Sequence, residues 1–189
     1  NTHPKICVCG AGTMGSGIAQ VCSGHGYETI LYDVDLQSVQ NAQSRITRDL
    51  QRLVDKKKID PGEKTQILSN IKFTTYIEDC VADIIIEAIV ENAGIKAELL
   101  NNIAAINKPT TVLATNTSSL SVTSIAEKLS RPGQLAGMHF FNPAPVMKLV
   151  EVVQTKYSLP ETIEATTRLA ILIGKTPVLC HDAPGFIVN

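Results

Sequence analysis

The chain lacks any excess of one charge: 17 Lys and Arg stand against 18 Asp and Glu in 189 residues, a formal net charge of -1. With the signs interspersed there is no electrostatic footprint for nucleic acid or for an anionic membrane surface, and neither is expected as a partner. No apolar stretch is long enough to span a bilayer. The start, Asn-Thr-His-Pro-Lys, runs directly into a strand pattern, without the regions that mark a signal or transit peptide. Cysteine is sparse and unpaired in number: Cys7, Cys9, Cys22, Cys80 and Cys180 sit mostly in apolar runs, where a thiol packs as a small hydrophobe. No second cysteine pair or histidine cluster stands at zinc-ligand spacing, and the two thiols of Cys7-x-Cys9 are expected on opposite faces of a strand, so no metal site is assigned. Free thiols point to a reducing compartment, the bacterial cytoplasm or, in a eukaryote, the mitochondrial matrix. Repeats and low-complexity tracts are missing too. What is present, 44% hydrophobic and 19% charged positions, is enough for one substantial core in a single domain over residues 1–189.

Short apolar runs alternate with helical patterns along the chain. Strands are expected at Lys5 to Cys9, Tyr27 to Tyr32, Ile71 to Thr74, Asp83 to Ile89, Thr111 to Ala114 and Gln134 to Phe140. Helical spacing fills Thr13 to Cys22, Leu36 to Lys57, a shorter stretch after Pro61-Gly62, Gly94 to Ile106 and Ser121 to Lys128. Such alternation, joined by right-handed crossovers, predicts an α/β fold: a doubly wound, mostly parallel sheet with helices on both faces. The tail breaks the rhythm. An extended run from Val146 to Thr155, a helix from Pro160 to Ile173 and a short strand from Thr176 to Cys180 read as an appended strand-helix-strand layer closing the sheet edge.

Between the first strand and the first helix lies Gly10-Ala11-Gly12-Thr13-Met14-Gly15. Gly10 permits the tight turn, Gly12 lets the backbone approach a pyrophosphate, and Gly15 lets the helix pack closely on the sheet, while the helix N-terminus offers free N–H groups to the phosphates. Alone the pattern is weak; here a strand precedes it, a helix follows it, and Asp33 ends the second strand about 20 residues on, which completes a Rossmann-type fingerprint. Asp33 can accept from an adenosine ribose diol, whereas a 2'-phosphate there would meet a like charge with no Arg beside it. The expected cofactor is NAD. The bland alternative is a glycine turn with an acidic cap and no ligand.

His139, in Met138-His139-Phe140-Phe141-Asn142-Pro143, falls at the carboxyl end of a strand, where open α/β sheets hold ligands. A lone histidine is more often structural. The next run, Met147-Lys148-Leu149-Val150-Glu151-Val152-Val153, places Glu151 on a strand face with Met147, Leu149 and Val153, and a carboxylate so placed needs a partner. A turn at Pro143-Ala-Pro145 lets the run fold back beside His139. A Glu-oriented imidazole can take a hydroxyl proton while hydride leaves the same carbon. The alternative is an ion pair of Glu151 with Lys148 or an arginine.

These residues resemble the 3-hydroxyacyl-CoA dehydrogenase family, short-chain 3-hydroxybutyryl-CoA dehydrogenases included. The matching stretches are GAGTMGSGIAQV (Gly10 to Val21), IEAIVEN (Ile86 to Asn92), TNTSSLSVTSIA (Thr115 to Ala126), GMHFFNPAPVMKLVEVV (Gly137 to Val153) and DAPGFIVN (Asp182 to Asn189). The resemblance implies His139 as catalytic base, Glu151 as its orienting acid, and Ser118 and Asn189 as polar groups facing the substrate oxygen. It implies that Glu91, Lys96, Asn116, Ser118 and Asn142 line the nicotinamide half of the cleft, and that Ser118, Lys56 and Lys96 contact an acyl-CoA substrate. Each has a plainer reading: Asn116 and Ser118 as helix caps, Glu91 as a first-turn acid, Lys96 as solvated, and Lys56-Lys57-Lys58 as a cluster complementing a helix dipole. Asp49 departs from the family, which carries Ser nearby, and an acid there would repel phosphate. Family members continue into a second, helical domain that walls the cleft and forms a homodimer, so this chain is expected to bind NAD but to turn over weakly alone. Rival readings are a dehydrogenase for a different hydroxy acid or sugar, and a non-catalytic, crystallin-like NAD-binding module.

Overall fold

A computed structural model describes residues 3–182. Its elements run β1 (Ile6–Cys9), α1 (Thr13–Gly24), β2 (Thr29–Tyr32), α2 (Leu36–Asp55), α3 (Pro61–Ser69), β3 (Ile71–Thr74), β4 (Ile84–Glu87), α4 (Ala93–Ile106), β5 (Val112–Thr115), α5 (Val122–Ala126), β6 (Leu135–Phe140), β7 (Leu149–Gln154), α6 (Pro160–Leu172) and β8 (Thr176–His181). All eight strands form one sheet in the order β3-β2-β1-β4-β5-β6-β7-β8. From β3 to β6 the neighbours are parallel, the 3-2-1-4-5-6 order of a doubly wound dinucleotide fold. β7 then reverses direction against β6, and β8 runs parallel to β7.

Burial explains the strand composition. β1, β2, β4, β5 and β6 are buried at every residue, and a parallel strand covered on both faces reads as a continuous apolar run. One core packs α1, α2 and α6 against Ile6 and Val8 of β1; the other packs α4 and α5 against Cys7 and Cys9. Cys7 and Cys9 therefore share a face, with their sulfurs 3.8 Å apart. The expectation of opposite faces is corrected here: side chains alternate along a strand with period two, so positions two apart point the same way.

Local rules set the helices. In α2 the buried positions are Val39, Ala42, Ile46 and Leu50, an i, i+3, i+7, i+11 stripe. Asp35 caps that helix by accepting from the Gln37 and Ser38 amides. α3 starts with a reciprocal Asp60–Glu63 capping box and Pro61 at its first position. Among the described residues no helix is long and apolar enough to cross a membrane.

The C-terminal strand-helix-strand unit extends the sheet itself, and β7 covers the edge that β6 would expose. Its strand begins at Leu149 rather than Val146, because the Val146 and Met147 amides both donate to the Pro143 carbonyl in a turn. The close approach of β7 depends on Gly137: a Cβ there would lie 2.6 Å from Val153 Cβ and 3.1 Å from Val122 Cγ2. Gly137→Ala is expected to lower stability by about 1–3 kcal/mol through overpacking, readable as a lower urea midpoint with unchanged slope.

Candidate active site

The loop after β1 opens a crevice where the strand order reverses between β1 and β4. Gly10 has φ +106°, and a Cβ on it would meet the Ala88 carbonyl oxygen at 2.5 Å, so only glycine fits this turn. A Cβ on Gly15 would lie 1.7 Å from the Gly10 oxygen, which makes this glycine the condition for α1 to rest on the loop. Gly12 differs: a Cβ there meets nothing within 4 Å. The backbone at Gly12 faces open space at the head of a helix that has no side-chain cap, so first-turn amides are left for an anionic ligand. Thr13 and Met14 begin that helix.

A cavity of about 590 Å³ adjoins this loop, lined by Gly10, Gly12, Tyr32, Asp33, Ile77 and Val90 among others. Asp33 reaches it from the end of β2. Its Oδ2 accepts from the Ala11 amide at 2.8 Å and its Oδ1 from the Asp35 amide at 3.0 Å, so the carboxylate ties the glycine loop to the start of α2. These features fit a dinucleotide: an uncapped helix start behind open space, with a rigidly held acid beside it.

The carboxyl ends of β1, β4, β5 and β6 share one edge, since Cys9 pairs in register with Glu87, Glu87 with Thr115 and Thr115 with Gly137. Glu87, which the sequence reading missed, anchors this edge. It is fully buried, accepts from Lys96 Nζ at 2.7 Å and from the Thr115 hydroxyl at 2.6 Å, and also holds the Ile89 amide. Burial pushes its carboxyl above the ordinary value, against the pull of Lys96 and Thr115. Lys96, also without exposed surface, lies 3.2 Å from Glu91 Oε2 as well. Lys96 thus faces two carboxylates rather than the open cleft, and the expected direct substrate contact is corrected on that ground: a buried ammonium needs these partners. Glu91 accepts from the Thr117 hydroxyl and the Ser118 amide. Burial disfavours its charge, but the Thr117 hydroxyl and the Lys96 ammonium outweigh that and hold the carboxyl below the ordinary value. Lys96→Met would leave Glu87 buried without its cation and is expected to cost about 3–5 kcal/mol, with most of the loss recovered when Glu87→Gln is added. Chemical unfolding of the two single variants and the double variant checks this.

Neither Asn116 nor Ser118 caps a helix; Ser121 caps α5. Asn116 Oδ1 accepts from the Phe140 amide at 2.9 Å, which pins the end of β6 to the end of β5. Ser118 is exposed on the loop that Glu91 holds. On β6, His139 pairs in register with Glu151 of β7, and its Nδ1 lies 2.8 Å from Glu151 Oε2. Glu151 is fully buried and His139 is 6% exposed. Phe141 stacks at an angle on the imidazole, with ring centroids 4.5 Å apart. The Pro143–Pro145 turn brings this pair together as the sequence suggests, and among the described residues Glu151 pairs with His139 and not with Lys148 or an arginine.

A second groove, of about 420 Å³, runs between α1, α2 and the β6–β7 turn and is lined by Thr13, Ser16, Arg45, Asp49, Lys58 and Asn142 among others. Asn142 thus faces this groove beside Thr13. Lys56 is not one of its lining residues. Lys57 adopts a left-handed conformation (φ 55°), with its amide bonded to the Val54 carbonyl and that of Lys58 to the Leu53 carbonyl. This αL cap swings the chain back so that Lys58, not Lys56, reaches the groove. Arg45, which the sequence reading missed, donates to Ser16 Oγ at 2.9 Å; its only sequence signal is its place on the α2 face turned toward the glycine loop. Asp49 lines the same groove with its charge turned to Arg52 at 3.2 Å. Asp182 was also missed as a site-shaping residue: it accepts from Ser121 Oγ and from the Val122 and Thr123 amides, clamping the chain after β8 to α5. Asn189 lies outside the described residues.

Comparison with known proteins gives this arrangement a family. Residues 5–183 match the family model described as 3-hydroxyacyl-CoA dehydrogenase, NAD binding domain. A probable 3-hydroxybutyryl-CoA dehydrogenase of Deinococcus radiodurans is 41% identical over 186 residues, covering 98% of this chain and 66% of the relative. The 3-hydroxyadipyl-CoA dehydrogenase of Escherichia coli K12 is 42% identical over 185 residues, covering 97% of this chain and 39% of the relative. The crystal structure of 3-hydroxybutyryl-CoA dehydrogenase from Escherichia coli K12 superposes with a TM-score of 0.95 at 41% identity, covering all of this chain and 40% of that one. The chain thus spans no more than about two thirds of the length of these relatives. With the glycine loop, the reversal point of the sheet and the match over nearly its whole length in agreement, the chain belongs to the 3-hydroxyacyl-CoA dehydrogenase family, as its NAD-binding domain.

Proposed function

We propose that this chain is the cofactor-binding and catalytic half of an enzyme that interconverts an (S)-3-hydroxyacyl-CoA, of short acyl chain, and its 3-oxo form. The observation that carries the reading is the buried His139–Glu151 pair at the same sheet edge as the uncapped glycine loop. About three strand spacings, some 14 Å at ~4.8 Å each, separate β6 from β1, so one extended ligand on that edge meets both.

When bound, NAD supplies the hydride acceptor. Gly10, Gly12, Thr13, Met14 and Gly15 would hold its pyrophosphate and Asp33 its ribose diol. Glu91, Asn116, Ser118 and Asn142 would line its far half, with Lys96 fixing Glu91 from beneath. Glu151 accepts the Nδ1 proton of His139 and so leaves Nε2 with a lone pair to take the substrate hydroxyl proton. In reduction the same nitrogen returns it. The Ser118 hydroxyl, together with Asn189, orients the substrate oxygen. The anionic end of coenzyme A meets Arg45 and Lys58 in the second groove, in place of Lys56.

The relatives are longer than this chain, and the reading takes their additional length to be a helical region that completes the cleft and forms the homodimer; the buried free thiols suit a reducing compartment. A cleft with one wall admits water, so this chain alone is expected to bind NAD and to reduce acetoacetyl-CoA slowly. Titration with NAD and coenzyme A, and steady-state turnover with and without the C-terminal region of a relative fused on, test the reading. NAD binding with turnover restored by the added region supports it; no turnover in the extended form favours a binding module instead.

A further inference from the structure

Cys7, Cys9 and Cys80 form a cluster that the proposed chemistry does not use. Their three sulfurs lie within 4.8 Å of one another, Cys7 and Cys9 at 3.8 Å, and all three residues have no exposed surface. Cys7 and Cys9 are held by β1, whose pairing with β2 and β4 fixes them. Cys80 approaches from the loop after the turn at Ile77–Asp79, locked by Asn107: Nδ2 donates to the Cys80 carbonyl at 2.7 Å, and Oδ1 accepts from the Ala82 amide at 3.0 Å. With one side of 3.8 Å and none above 4.8 Å, the three sulfurs need shifts of only a few tenths of an ångström to close on one central atom at about 2.3 Å, the length of a thiolate–metal bond. The three ligands are therefore already gathered, two on β1 and one on a loop tied down by Asn107.

Charge decides which guest fits. Three thiolates around a monovalent or divalent ion leave net negative charge in an apolar core, and among the described residues no Lys, Arg or His is hydrogen-bonded to these sulfurs. Such a charge is costly to bury without a partner. A trivalent centre bound by three thiolates is neutral. Zinc, which takes four ligands in closed sites, finds no fourth His, Cys, Asp or Glu in this cluster among the described residues. We propose that Cys7, Cys9 and Cys80 form a binding site for a trivalent, thiophilic metalloid, with arsenite as its simplest ligand. The step is a ligand exchange without redox change: As(OH)3 and three thiols give As(S-Cys)3 and three waters, as three As–O bonds break, three As–S bonds form, and each thiol proton leaves on a hydroxyl. Cys80 lies beside the half-exposed Val81, so its loop is the side from which the ligand enters.

Native mass spectrometry of the reduced chain with sodium arsenite is expected to show one adduct, heavier by one arsenic less three hydrogens. Arsenic-edge X-ray absorption should find three sulfur neighbours and no oxygen, a reading on the unsubstituted chain that needs no variant to fold. Cys80→Ser is expected to weaken uptake by at least the ~100-fold that losing even an outer-shell partner can cost, whereas Cys22→Ser and Cys180→Ser keep it. The proposal is overturned by no stoichiometric adduct, by an adduct that retains an arsenic–oxygen bond, by uptake that survives Cys80→Ser, or by retention of one zinc ion in preference to arsenite.

Discussion

Replacing His139 with Gln lowers turnover by about a hundred- to ten-thousandfold, the range that a positioned general base contributes, and leaves NAD affinity unchanged. Gln keeps a polar side chain of similar reach opposite Glu151, whose carboxylate is buried beside it, but has no nitrogen able to take a proton at neutral pH. The two readouts separate chemistry from folding. Stopped-flow NADH formation with a 3-hydroxyacyl-CoA reports the first, and fluorescence titration of NADH reports the second. Turnover within threefold of the unsubstituted protein would remove His139 from the reaction. A parallel loss of NADH binding would make it a structural residue of β6. Glu151→Gln supplies the intermediate case, since its amide can still meet the imidazole but no longer holds Nδ1–H with a charge-assisted bond.

Gly12→Ala is expected to weaken NAD binding by about 10- to 100-fold, or ~1.4–2.8 kcal/mol, while costing ~1 kcal/mol or less of stability, the penalty for Ala at a helix start. The added methyl group meets no protein atom within 4 Å and projects into the space before the first-turn amides of α1. Only a ligand seated there would feel it. Gly15→Ala provides the contrast, because its methyl group would collide with the Gly10 carbonyl at 1.7 Å and should destabilise the fold itself. Isothermal titration of NAD beside thermal unfolding distinguishes the two glycines. Unaltered NAD affinity in a folded Gly12→Ala protein would place the pyrophosphate elsewhere.

The residues differ in how far their roles could be read beforehand. Gly10, Gly12, Gly15 and Asp33 were legible because the fingerprint is local: a turn, a helix start and a strand end, all within 24 residues from Gly10 to Asp33. His139 and Glu151 were legible as a pair because only a short turn separates two strands, and an apolar strand face with one acid calls for a partner. Glu87 was hidden inside the apolar run IIIE of β4, where nothing nearby reveals that Lys96 and Thr115, 9 and 28 residues away, converge on it. The place of Lys58 in the second groove was hidden for the same reason. A run of three lysines does not say which one an αL turn at Lys57 swings into the groove.

By itself the sequence determined the alternation of strands and helices, the turn that only glycine can make, and the acid beside it, because these follow from periodicity and from backbone sterics within a few neighbouring residues. The tertiary structure alone decided that β8 joins the same sheet in parallel beside β7, that Lys96 faces carboxylates instead of ligand, and that three thiols from β1 and a distant loop meet in one place. Those outcomes depend on which strand edge or buried charge finds its partner across the fold, and that choice is made by desolvation and packing among residues far apart in the chain.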